Sequence, residues 1–310
     1  MTQNIVEALR EETVNQLFAM KTFDDAFSVW GPLIRRIAPS PHQPQTIFDL
    51  GDRLRDIFTT TSTTRSNAGV VAAGHAWEAL VAWYLNLCLI GHRTVVLKNL
   101  VPKPVRFSVT ATYNNVPSNS ESDLVAVVFP SKPSYTIDKD AVQVWDSKGA
   151  PVQLRTATGR YRLKEVSDAL CETDFNQLGV HIIQCKTSWA DNSQAPMLWD
   201  MVYHAQAFTR QIQVGINGYN MSSLGNFSYS FVTVPTQKDL TSFKPTSMPA
   251  KRVGHLSGGN FWGLPGKPGV AQSVKEMLGR NLKGGHTHRH LTTLRNELPR
   301  LQSDFSYFRL

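Results

Sequence analysis

The chain has little cysteine. Cys88, Cys171 and Cys185 are odd in number, widely spaced and without metal-ligand spacing, which argues against a disulfide framework or a thiolate metal centre and points to a reducing cytoplasm. Long apolar runs are also missing. The longest, Ala76 to Ile90, is interrupted by Glu78 and Asn86 and falls short of the roughly 20 residues that span a bilayer. No membrane segment is expected. Met1 to Arg10 carries no apolar run behind a basic flank, so no secretory signal is expected either. There is no P-loop, no Gly-x-Gly-x-x-Gly, no Gly-x-Ser-x-Gly and no internal repeat. These absences remove the commonest nucleotide-binding, dinucleotide-binding and serine-hydrolase readings.

Acidic residues are the next shortage, with 24 Asp and Glu against 32 Lys and Arg, a net charge of +8. The excess is concentrated late in the chain. Between Lys238 and Arg300 stand eleven basic residues and three acidic ones, an excess equal to the net charge of the whole chain. A basic protein favours an anionic partner, nucleic acid first and an anionic membrane surface second. The membrane reading is the weaker, because the basic stretch lacks a long amphipathic helix with a lysine-rich face.

With 310 residues, 41% hydrophobic and 18% charged, the composition is that of a globular domain with a sizeable core. Apolar residues recur at helical spacing from Thr2 to Ile37, where Gly31-Pro32 should kink or split the second helix, and again from Thr46 to Phe58. Ala68 to Ile90 is the strongest helix signal, apolar almost all round and so buried, with Glu78 in its middle. Thr94 to Leu100 and Val105 to Tyr113 read as strands. So does the apolar run Leu124 to Phe129, entered through Glu121-Ser122-Asp123. An insertion, Pro130 to Asn176, suggests a hairpin near Ser147-Lys148-Gly149 and a short helix from Leu163 to Leu170. Val180 to Thr187 is a further strand, Pro196 to Gln211 a helix, Phe227 to Val234 a strand and Val270 to Leu278 a short helix. This alternation predicts one α/β domain, a mixed sheet flanked by helices. Within it, residues 1–65 form a helical N-terminal elaboration, 66–236 the core with its insertion 130–176, and 237–310 a basic C-terminal extension.

The chemistry concentrates around Gln184-Cys185-Lys186. Gln184 and Lys186 are two apart and share one face of a strand. A lysine beside an apolar strand needs a negative partner. Glu78 in a buried helix needs a cation, a metal or a proton. Asp123 stands at the mouth of a buried strand. Two carboxylates and an amide oxygen are hard donors that suit Mg²⁺. A nearby lysine can stabilise the charge that develops when a phosphodiester is attacked. Asp174, ten residues before Gln184, competes with Asp123 for the acidic role. His286-x-His288-x-His290, next to Arg289, reads as a basic, phosphate-facing segment before it reads as a metal site.

This set, Asp123 opening one strand, Gln184-Cys185-Lys186 on the next and Glu78 on a preceding buried helix, resembles the PD-(D/E)XK nuclease superfamily. Within it, the chain resembles a Type II restriction endonuclease. The likeness covers roughly Ala68 to Val234. It implies a restriction-endonuclease-like central sheet of four or five mixed strands flanked by helices. It also implies Mg²⁺-dependent, site-specific cleavage of double-stranded DNA by a homodimer. Asp123 would be the metal-binding acid, Gln184 the second ligand position, Lys186 the catalytic lysine and Glu78 the helix acid. The chain departs from the pattern at Gln184, where the family carries Asp or Glu, and at Ser122, where it carries proline. Arg252, Asn260, Lys267, Arg280 and Arg289 are candidate DNA contacts. Two other readings remain: a structure-specific repair or recombination nuclease, and a nucleic-acid-binding protein without catalysis.

Overall fold

The computed structural model describes residues 3–61, 67–113, 116–118, 122–187, 212–233, 261–262 and 290–310. Its centre is a five-stranded mixed sheet in the order β1-β4-β5-β7-β8. The strands are β1 (Thr94–Leu97), β4 (Leu124–Val128), β5 (Gly179–Lys186), β7 (Asn226–Thr233) and β8 (Phe261–Trp262). β1, β4 and β5 pair antiparallel, whereas β5, β7 and β8 run parallel. A smaller antiparallel sheet, ordered β3-β2-β6, joins β2 (Ala111–Tyr113), β3 (Val116–Ser118) and β6 (Ile212–Val214).

Each face of the main sheet is covered. Leu124, Ala126, Ile183 and Cys185 point to one layer, built by α2 (Lys21–Ile37), α3 (Pro44–Asp49), α4 (Leu54–Thr59), α5 (Asn67–Cys88) and the chain end. Val125, Val127, Val180 and Ile182 point to the other, with α6 (Lys103–Val109) and α7 (Leu163–Thr173). α1 (Ile5–Ala19) serves both, contributing Ile5, Val6 and Leu9 to one core and Val14, Leu17 and Phe18 to the other. The strict alternation along β4 and β5 is the period of two that a sheet buried on both faces imposes.

Two buried polar side chains lock α5 to the sheet. Asn86 Nδ2 donates to the Val96 carbonyl at 2.7 Å, and Val96 N donates back to Asn86 Oδ1 at 3.0 Å. The amide thereby stands in for a neighbouring strand along β1. Arg10 of α1, fully buried, donates to the carbonyls of His92 and Thr94 at 2.9 Å and pairs with Glu7. A buried guanidinium with every direction answered is tolerated where a bare one would not be.

Several expectations need correction. Val105 to Tyr113 is not one strand. Pro104 stands in the first turn of α6, where a missing N–H does no harm, and only Ala111–Tyr113 is extended. Gly31-Pro32 does not split α2, which runs unbroken to Ile37. Thr46 to Phe58 is divided into α3, a 3₁₀ turn over Leu50–Arg53, and α4. The break lies where Gly51 sits against Tyr84, whose hydroxyl would be 2.6 Å from any Cβ there. Parts of the C-terminal region pack with the core. β8 extends the main sheet, and α8 (His290–Glu297) with Leu298, Leu301, Phe305 and Phe308 is part of the helical core. Trp83 Nε1 donates to the Phe308 carbonyl at 3.1 Å. The helices expected over Pro196 to Gln211 and Val270 to Leu278 lie outside the described residues. Among the described residues, no helix is long and apolar enough to cross a membrane.

Candidate functional site

The site lies at the end of the sheet where β4 begins and β5 ends. Antiparallel pairing matches Leu124 with Ile183, so one step further Asp123 stands across from Gln184. Asp123 Oδ2 accepts from the Cys185 backbone N–H at 2.7 Å, which fixes the acid to the Gln184-Cys185-Lys186 strand. β1 ends beside the same place. Leu97 pairs with Val125, and the next residue, Lys98, leaves the sheet next to the entrance of β4. α5 brings Glu78 there, and its Oε2 makes an ion pair with Lys98 Nζ. Both side chains are mostly buried, 15% and 12% exposed. His75, one turn earlier on α5, reaches the same Glu78 oxygen at 3.4 Å.

The electrostatics show an acid that is not fully compensated. Asp123 is pushed up from its ordinary 3.8 to about 6. Burial is the main cause, the Cys185 N–H opposes it, and Glu78 adds to it, while Lys186 and Lys98 pull the other way. Two carboxylates close enough to feel each other, with two ammonium groups around them, therefore form one charge cluster. Cys185 is sealed beneath it. Burial first, then Asp123 and Glu78, push its thiol well above the usual range, so it remains protonated and inert.

Gln184 stands across from Asp123 on β5. It is fully buried, and its Oε1 accepts a short hydrogen bond from the Tyr229 hydroxyl on β7. The amide thus braces β5 against its parallel neighbour. Asp174 is at the other end of the strand. It follows α7, before β5 begins, and accepts from Lys132 Nζ at 2.5 Å and from the Tyr135 hydroxyl at 3.0 Å. Across eight residues of strand, roughly 25 Å, it does not share a site with Lys186. The insertion after β4 departs from that same remote end.

Lys98 is the residue that sequence reasoning missed. The signal was present, a lysine directly after the apolar run Thr94–Leu97, but only the pairing of β1 with β4 gives it meaning. The candidate DNA contacts Arg252, Asn260, Lys267, Arg280 and Arg289 lie outside the described residues, as do His286 and His288. His290 is packed at 4.9 Å from the His92 ring, inside the helical layer. Arg300, counted with the basic stretch, pairs with Glu297 and Asp304.

Among the described residues, no three His, Cys, Asp or Glu side chains converge as a metal cage. Mg²⁺ does not require one, since it is commonly held by one or two carboxylates, with waters and substrate phosphates completing the shell. Asp123 and Glu78 fit that pattern, and the burial that chiefly raises Asp123, with Glu78 adding to it, disfavours a carboxylate that a cation would stabilise. Compared with protein-family models, curated proteins and solved structures, the chain matches none.

Proposed function

We propose that this chain is a Mg²⁺-dependent endonuclease that cleaves double-stranded DNA at specific sites, in the manner of a Type II restriction enzyme. The observation that carries the reading is the cluster of Asp123, Glu78 and Lys186 at one end of β4 and β5, tied together by the Asp123–Cys185 hydrogen bond. A sheet with antiparallel β1, β4 and β5 and parallel β7 and β8 is compatible with the restriction-endonuclease-like core that the motif implies.

In this reading, Asp123 and Glu78 hold the cation through their carboxylates. Bound Mg²⁺ supplies polarisation of the phosphoryl oxygen and a lowered pKa for the attacking water. Lys186, at the rim of the strand, meets the developing negative charge on the phosphate. Cys185 presents its backbone N–H to Asp123 and so aims the acid. Gln184 braces the strand through Tyr229. The net charge of +8 draws the phosphate backbone toward the protein. Two copies related by a two-fold axis would address both strands of a palindromic site.

The test is direct. The purified protein is incubated with several plasmid and phage DNAs, with Mg²⁺ or with chelator. Discrete fragments only with Mg²⁺ are expected, and Lys186→Ala should remove them while the protein remains folded. A smear would indicate cleavage without sequence preference. Intact DNA across many sequences, with binding retained, would overturn catalysis and leave a nucleic-acid-binding protein.

A further inference from the structure

The nuclease reading uses one lysine, yet the cluster holds two. We propose that Lys98 is a positioning residue that balances Glu78 and thereby tunes how strongly the Asp123–Glu78 pair holds a divalent cation. The proposal rests on the reading of that pair as a cation site. Its ground is geometric. Lys98 leaves β1 one residue after Leu97, which pairs with Val125 at the start of β4. Its ammonium reaches Glu78 Oε2, the same oxygen that His75 approaches at 3.4 Å. Both partners of the ion pair are mostly shielded from water. Two turns further along α5, Asn86 bonds to Val96 of β1 in both directions. α5 and β1 are therefore also joined independently of the Lys98–Glu78 pair.

The charges explain what it does. Glu78 and Asp123 bring two negative charges, and Lys98 and Lys186 bring two positive ones. The four formal charges sum to zero, although burial leaves Asp123 short of full compensation. A divalent cation entering it must displace the ammonium from Glu78 or sit beside it. At contact distances in a partly buried site, like charges repel strongly enough to change affinity by more than tenfold. Cation binding is therefore weak until a phosphodiester brings further negative charge. Lys98 thus holds Glu78 in position and links tight cation binding to the arrival of the phosphate backbone.

The experiment titrates Mn²⁺ into the full chain without DNA, by calorimetry, for the native protein, Lys98→Met and Lys98→Arg. Circular dichroism and thermal unfolding check that each is folded, and Lys98→Gln replaces Lys98→Met if that variant does not fold. Removing the charge should tighten Mn²⁺ binding about tenfold or more, and Lys98→Arg should return it to the native value. Unchanged or weaker binding in a folded Lys98→Met, or a Lys98→Arg that behaves like Lys98→Met, would overturn the role of Lys98. So would a failure of every variant to bind Mn²⁺. DNA cleavage is read separately. The expected order of affinities without any cutting would sink the nuclease reading and leave Lys98 intact. Mg²⁺-dependent cutting with equal affinities would do the reverse.

Discussion

β5 carries an acid at each of its ends, and the two are treated in opposite ways. Before Gly179, Asp174 is 4% exposed and fully answered, by Lys132 at 2.5 Å and by Tyr135 at 3.0 Å. Burial keeps the Tyr135 phenol protonated, so it always donates. Beyond Ile183, Asp123 has one backbone N–H, a second carboxylate nearby and a carboxyl pushed up to about 6. Asp174 is the more deeply buried of the two and Asp123 is half-buried, yet burial alone would make both look structural. The difference is in the partners: one acid has its own donors, and the other shares a crowded cluster that an added cation would complete. Perturbed groups of the second kind gather at functional sites.

Neutralising each acid in turn separates the two ends of β5. Asp123→Asn keeps the shape and removes the charge. On the nuclease reading, Mg²⁺-dependent cutting should fall about a thousandfold, the scale of several kcal/mol of lost charge stabilisation. Plasmid digestion over a long time course reads this. Cutting within tenfold of the native rate would move the acidic role away from Asp123.

The second effect is on stability, and its sign follows from the raised pKa. The folded Asp123 titrates at about 6, against an ordinary 3.8. As pH rises, the unfolded chain releases this proton first. The group's favourable contribution is therefore fully present below about 3.8 and is lost as pH rises through about 6. Its size is about 3 kcal/mol, taken from a shift of about two units. In chelator, Asp123→Asn should match the native protein near the lower limit and exceed it in stability above the upper one. Denaturant unfolding across that window measures the gap, and Mn²⁺ should close it by stabilising only the native protein. A gap independent of pH would mean that Asp123 does not carry the strain.

Asp174→Ala should do the reverse. It removes the acceptor of a buried tyrosine and of a lysine that keeps contact with water, at a cost of about 2 kcal/mol. The folded fraction should cut DNA at the native rate. Lost cutting in a folded Asp174→Ala would mean that the two ends of β5 are one site.

Much of this contrast was legible in the sequence, and the illegible part has physical reasons. The β-branched run from Val180 to Ile183 and the apolar length of α5 mark their elements, because burial on all sides leaves few other choices of residue. Asp123 directly precedes its apolar strand whereas the run after Asp174 passes Gly179 first, which favours Asp123, but only pairing reveals which strand end faces which. Lys98 falls inside the strand expected over Thr94 to Leu100, and only the end of β1 at Leu97, beside β4, sets it apart. The segment Val105 to Val109 has β-branched residues, yet Pro104 at the head of a helix outweighs that preference. Residues Leu294 to Phe308 were hidden by the basic stretch before them, although their apolar side chains pack into the helical core. Charge counts describe a surface, and they do not reveal which apolar residues of the same stretch are inside.

The smallest prediction concerns Gln184, the residue at which the motif departs from its family. Its carbonyl oxygen accepts from Tyr229. If that oxygen also ligated the cation, Tyr229 would be its outer support, and losing such a support weakens metal binding by about tenfold or more. If Gln184 is a brace between β5 and β7, Tyr229→Phe should cost only about 1 kcal/mol of stability, the worth of one hydrogen bond. Mn²⁺ affinity should then remain near the native value. The brace is the outcome expected here, because the buried amide is turned toward its neighbouring strand while Asp123 and Glu78 already supply two carboxylates. A tenfold loss of affinity in Tyr229→Phe, with the fold intact, would return Gln184 to the ligand set and extend the uncompensated end of β5 by one residue.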